Sequence, residues 1–179
     1  MSVLFDLDNG GESTTSLFVK FDARNGMWST GEDPINLKEK NVIFCTKTLQ
    51  TGWMRWVNGD CQTEFTHDLS AKIAKPADDT DDPQQKWKQA FSVDLLIDGE
   101  RKEWSSSAIG VLRGLEELYG QINAGGGKPG QEPQLQYKGA EKQTLGKGTT
   151  HKPKFEVIGW VDVADDDEGA ASDIADNFD

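Results

Sequence analysis

Three dipeptides, Asn25-Gly26, Asn58-Gly59 and Asp98-Gly99, each interrupt a stretch in which apolar and polar side chains alternate. A two-residue hairpin turn of type I′ needs positive φ at both central residues, a conformation that Asn, Asp and Gly reach with least strain. Three such signals oblige much of the chain to fold as antiparallel hairpins. In "SLFVKFDARNGMWS" a two-residue loop sets Arg24 opposite Met27 and Ala23 opposite Trp28. Alternation then gives Trp28, Phe21, Val19 and Leu17 one face, the core face, and leaves Phe18, Lys20 and Met27 on the other. In "GWMRWVNGDCQTEFT" the same logic pairs Trp56 with Cys61 and Met54 with Thr63, with Phe65 extending that face into the core. The reverse face carries Trp53, Arg55, Val57, Asp60, Gln62 and Glu64. That mostly polar face predicts Trp53 as an exposed indole beside a guanidinium.

"NVIFCTK" (41–47) is a near-continuous apolar run, as in a strand covered on both sides. A charged linker, "KPADDTDDPQQK" (75–86), precedes a third hairpin in "QAFSVDLLIDGERKEW". The period then changes. Ala108, Val111, Leu112, Leu115, Leu118, Tyr119 and Ile122 recur at helical spacing over 108–122. The serines at 105–107 supply an N-cap and "AGGGKPG" ends the helix. "PQLQYKG" and "KPKFEVIGWVDV" read as two more strands, separated by the Gly/Lys/Thr-rich loop "GAEKQTLGKGTTH". One amphipathic helix inserted late among short, glycine-punctuated strands predicts a mainly β fold. The expected form is a small barrel of the oligonucleotide/oligosaccharide-binding (OB) type, over residues 1–164.

Residues 165–179 carry seven acidic side chains, no base, and two large apolar ones, Ile174 and Phe178. Such a composition cannot offset its ordering entropy, so it reads as a disordered acidic C-terminal tail. It holds more than half of the formal charge of −12. Residues 128–154, by contrast, hold six lysines against Glu132 and Glu141, so the local field there is positive. Cys45 and Cys61 stand in a chain without a basic, apolar leader or a membrane-length apolar run. They read as buried, reduced thiols of a cytoplasmic protein.

Motifs for catalysis fail on inspection. "INAGGGK" has Ile122 where a phosphate loop needs glycine and Pro129 where it needs Ser or Thr. Cys45, Cys61, His67 and His151 lack a zinc-binding spacing. In "DDTDDP", Pro83 and Gln89 occupy the positions where a calcium loop needs glycine and glutamate. Neither histidine is organised around a nucleophile. No enzyme, metal or cofactor is expected.

Aromatic and basic residues fit a different chemistry. Sequence-tolerant single-strand binders combine cations for phosphates with exposed rings for base stacking. Trp53 with Arg55, and Phe18 with Lys20, make such a platform, and Lys138, Lys147, Lys152 and Lys154 could clamp the backbone. "FVKFDARNGMW" and "GWMRWVNG", followed by an acidic tail with an aromatic near its end, resemble the single-stranded DNA-binding, helix-destabilising replication proteins of bacteriophages. The resemblance implies an OB barrel that protects single-stranded DNA during replication, recombination or repair in an infected bacterial cytoplasm. It also implies that the tail recruits partners such as polymerase or helicase. There Asp165, Asp166, Asp167, Glu168, Asp173, Asp176 and Asp179 would attract a basic patch, with Ile174 and Phe178 as anchors. Bacterial relatives close on a phenylalanine, whereas here Asp179 follows Phe178. The competing expectation is an acidic protein-interaction module, such as a DNA mimic that inhibits a nucleic-acid enzyme.

Overall fold

A computed structural model describes residues 17–163. The expectations for Asp165, Asp166, Asp167, Glu168, Asp173, Ile174, Asp176, Phe178 and Asp179 lie outside the described residues. Within them the fold is mainly β, with antiparallel sheets and one α-helix. Strands β1 (Lys20–Asp22), β2 (Met27–Thr30) and β3 (Asp33–Ile35) form a small sheet. The larger sheet contains β4 (Val42–Val57), β5 (Asp60–Thr66), β6 (Lys88–Ile97), β7 (Glu100–Ser106), β8 (Gln131–Leu145) and β9 (Gly148–Asp162). Its order is β7-β6-β4-β8-β9, with β5 paired to the later half of β4. Helix α1 (Ile109–Gly125) lies between β7 and β8 in sequence.

Two of the three turns form as their residues dictate. Asn58 and Asp98 both take φ 52°, followed by Gly59 at 87° and Gly99 at 86°. Val57 therefore faces Asp60 and Ile97 faces Glu100. The first hairpin differs. Asp22 pairs with Met27 and Phe21 with Trp28, across a four-residue loop rather than a two-residue one. Only Gly26 of its dipeptide is left-handed, and the Asp22 carbonyl accepts from the amides of Asn25 (3.2 Å) and Gly26 (2.7 Å). A register shift of two keeps every side chain on its face. Val19, Phe21 and Trp28 are accordingly buried, while Leu17, before the first strand, is exposed.

Backbone pairing also joins what the sequence divides. β4 runs as one strand of 16 residues through an irregularity between Cys45 and Gln50. The Gly/Lys/Thr-rich segment is no loop. β8 and β9 remain paired through it to Leu145 and Gly148. Polar cross-strand pairs, Gln143 with Thr150 and Thr144 with Thr149, suit a ribbon with water on one side, while Thr150 is buried beside Gly110 of the helix.

The helix starts later than the serines suggest. They belong to β7 and the residue after it, and Ala108 is the N-cap, with no side-chain capping bond. Gly126, left-handed at φ 81°, ends it. Val111, Leu115, Leu118 and Ile122 are buried, as their spacing requires. Gly110 and Gly114, one turn apart, bring the helix against the backbone of β9. Gln121 reaches the same strand: its Nε2 donates to the Phe155 carbonyl (2.8 Å), and its Oε1 accepts from the Val157 amide (2.9 Å). One side-chain amide thus stands in for a neighbouring strand.

The ladder's outer strands, β7 and β9, are not paired with each other among the described residues. Residues 17–23 touch both. Glu103 of β7 accepts from the Val19 amide (3.0 Å) and donates to the Leu17 carbonyl (2.8 Å), and the His151 amide of β9 donates to the Ala23 carbonyl (2.9 Å).

Two glycines of one helix should respond oppositely to the same change. A Cβ at Gly114 would stand 2.5 Å from the Pro153 carbonyl oxygen, whereas one at Gly120 meets nothing within 4 Å. Gly114→Ala should lose about 1–3 kcal/mol to overpacking, less the helix-propensity gain. Gly120→Ala should gain about 0.5–1 kcal/mol. Urea midpoints of the two variants measure both. Equal shifts would contradict the close helix–β9 contact.

Candidate nucleic-acid interface

Met54 opposite Lys88 is the last pair between β4 and β6. Beyond it the β4–β5 hairpin continues as a two-stranded overhang. Alternation puts Trp56 on the buried face of Met54, but the sheet that covers Met54 has ended. Trp56 is 55% exposed, and Cys61 opposite it is exposed too. Both were expected in the core. The facing was legible; the length of the covering strand was not.

The reverse face is the covered one. Residues 67–87 fold onto it, and Trp53 is half-buried, its indole N–H donating to the Ile73 carbonyl (2.8 Å). The expected exposed indole is therefore not found at Trp53. Arg55 is gripped as well. Its guanidinium meets the Asp79 carboxylate (2.6 Å), its Nε donates to Gln62 (2.7 Å), and its central carbon lies 4.6 Å from the centre of the Trp87 ring. Asp78 in turn accepts from the Trp87 amide (2.9 Å). The hydrogen bond from Arg55 holds the Asp79 carboxyl below its ordinary range, and the Trp87 amide does the same for Asp78. The charged linker is thus a cover tied to the hairpin by an arginine sandwiched between a carboxylate and a ring. With its side chain 11% exposed, Arg55 is poorly placed to meet a phosphate.

The other expected site residues divide into two groups. Phe18 and Lys20 are exposed, and Phe18 bridges to Glu103 of β7. Lys147 is exposed in the β8–β9 turn, beside the left-handed Gly146. Lys138 and Lys154 are exposed but near carboxylates, Glu156 (3.7 Å) and Glu141 (3.6 Å) respectively. Lys152 contradicts its reading as a surface cation. It is 6% exposed, bonded to Glu117 of α1 and 3.5 Å from Glu141. Its side chain points toward the helix, so it clamps the ribbon to α1 instead of reaching solvent.

Backbone pairing joins most of the remaining groups, and the Trp56 hairpin is related to them through the field of Glu103. The Cys61 thiol, opposite Trp56, is pushed up by desolvation and then by the field of Glu103 of β7. Glu103 adjoins Phe18, and Lys20 follows in β1. Ala23 then bonds to His151, whose cross-strand partner is Lys142. Lys20, Lys88, Lys142 and Lys147 are exposed and have no ion-pair partner among the described residues. Sequence reasoning missed Trp56, Lys88, Lys142 and the Asp79–Arg55–Trp87 stack. The signal for the stack was a lone tryptophan at the edge of a charged linker.

No helix among the described residues is long and apolar enough to cross a membrane. Comparison of the chain with family models, curated proteins and solved structures finds no match.

Lys152 supplies a pH-dependent test. The Glu117 hydrogen bond, opposed by burial, raises Lys152 above its ordinary value. The clamp therefore stabilises the fold fully below about pH 10.4 and is lost as pH rises through the raised value. Burial also pushes up the Tyr137 hydroxyl, which weakens the fold over the same alkaline range as the unfolded phenol ionises. Subtracting the denaturation profile of Lys152→Met from that of the unaltered protein isolates the clamp. The difference should be constant at neutral pH and shrink above about pH 10.4. A difference unchanged through that range would remove the ion pair from this role.

Proposed function

We propose that the protein binds single-stranded DNA with little sequence preference, as a non-catalytic OB-type barrel. Residues 165–179 would recruit replication, recombination or repair enzymes to it. The exposed Trp56 carries this reading. It stands on an overhanging hairpin at one end of a run that includes Phe18, Lys20 and Lys142. Base–aromatic stacking is sequence-tolerant because every base has a π-face, and unpaired lysines beside it supply phosphate contacts.

Connectivity supports the barrel. β4, β6 and β7 form a meander, α1 follows, and β8–β9 return beside β4. This is the strand order of a five-stranded OB fold, whose ligands lie across the second and third strands between the first and last hairpin loops. Here those strands are β6 and β7, the first loop is elaborated into the β4–β5 overhang, and the last is the Lys147 turn. Residues 17–23 bridge the remaining gap between β7 and β9.

The acidic-mimic reading draws on a separate observation: Arg55, Lys152 and Lys154 are held by this chain's own carboxylates. A gel shift with a single-stranded oligonucleotide at low salt separates the two, since a mimic leaves the DNA unshifted.

Trp56→Ala should weaken single-strand binding by about 1–3 kcal/mol, and DNA should quench the fluorescence of the unaltered protein. Trp53→Ala should lower stability while leaving affinity nearly unchanged. Neutralising Lys142 and Lys147 should flatten the log–log salt dependence by about 0.7 for each phosphate that the variant no longer neutralises. Fluorescence titrations across a salt series read all three. Full affinity in a folded Trp56→Ala variant would exclude the stacking role.

A further inference from the structure

We propose that a two-lobed apolar groove beside α1 seats the chain's own residues 173–178, with Ile174 and Phe178 as its two anchors. The first hollow, about 380 Å³, is walled by Trp53, Ile73, Ile109 and Leu112. The second, about 410 Å³, is walled by Leu49, Tyr119 and Gly120. Thr51, Leu69, Leu115 and Glu116 line both, so the hollows adjoin. This groove is separate from the Trp56–Phe18–Lys20 run.

Shape and charge select the occupant. Lys72 and Arg113 stand at the first hollow, and Glu116 is the one carboxylate lining either. The segment "DIADNFD", 173–179, offers two large apolar side chains among carboxylates. From Leu112 to Tyr119 the hollows follow seven residues of helix, about 10 Å at 1.5 Å per residue. Side chains four residues apart are separated by about 6 Å in a helix and about 13 Å when extended, which brackets that spacing. The reach is sufficient. Trp160 of β9 packs against Gly125 at the end of α1, and Tyr119 lies about 9 Å back along the helix. Residues 164–173 can span up to about 33 Å. An acidic segment without apolar groups would favour the unpaired lysines of the other face; Ile174 and Phe178 require a hollow. Seated there, the two anchors are withheld from any other apolar pocket until one competes for them.

The test uses the full chain. Cys61→Ser removes the exposed thiol and Asn177→Cys provides a site for a nitroxide, while Cys45 is buried. The methyl resonances of Leu69, Leu112 and Leu115 should lose most of their intensity, and that of the exposed Met27 should keep it. Adding Ile174→Ala and Phe178→Ala should restore the groove signals. Unaffected groove methyls would overturn the proposal. So would signal loss centred on Met27, which puts the segment on the lysine-bearing face, or groove signal loss that survives the two alanines, which makes charge alone responsible. A mixture of isotope-labelled chains without nitroxide and unlabelled chains bearing it should leave the groove methyls intact; signal loss there would assign the seat to a second copy and overturn the intramolecular claim.

Discussion

The Trp28 ring meets Phe21 of β1, Trp104 of β7, Tyr137 of β8 and Phe155 of β9, with ring centres 5.1, 5.1, 5.7 and 6.0 Å away. All four pairs meet tilted or edge-on, and aromatic pairs of favourable geometry are worth about 0.5–1.5 kcal/mol each beyond the area they bury. One indole thereby joins the small sheet to both outer strands of the large one. Together with the buried Val19 and Phe21 it packs behind the hydrogen bonds that Glu103 and His151 make to residues 17–23. The position of Phe18 and Lys20 across the β7–β9 gap depends on that packing.

The same fold decides which aromatics are left exposed. β6 stops pairing with β4 at Met54, and the overhang beyond it carries Trp56 into solvent. On the reverse face, Asp79 and Trp87 hold Arg55, and the segment they come from shields Trp53. A carboxylate-rich cover on one face and unpaired lysines along another give an acidic chain of net charge −12 an uneven surface field.

Much of this was legible in the residues, for reasons that differ by element. Asn58-Gly59 and Asp98-Gly99 specified their turns and registers because few other backbones suit both positions. The α1 core positions followed from period alone. Asn25-Gly26 misled because a four-residue loop serves the same faces, and alternation cannot distinguish registers that differ by two. Trp53 and Trp56 were assigned opposite exposures because alternation gives facing, while burial depends on where a partner strand ends. Lys152 sits in a segment too polar to read as core, yet Glu117, distant in sequence, accounts for its burial. Gly114 and Gln121 carried no sequence signal of their contacts with β9, since those arise only when helix and strand meet.

The central claim is that single-stranded DNA lies along the run from Trp56 past Phe18 and Lys20 to the β8–β9 ribbon. Its most direct test is a nuclear magnetic resonance titration of the full chain with a short oligothymidine at low salt. The Trp56 indole N–H and the amides of Lys20, Lys142 and Lys147 should shift together with one saturation curve, while the Trp53 indole N–H stays in place. Shifts confined to the α1 groove, or an unchanged spectrum at saturating oligonucleotide, would contradict the account.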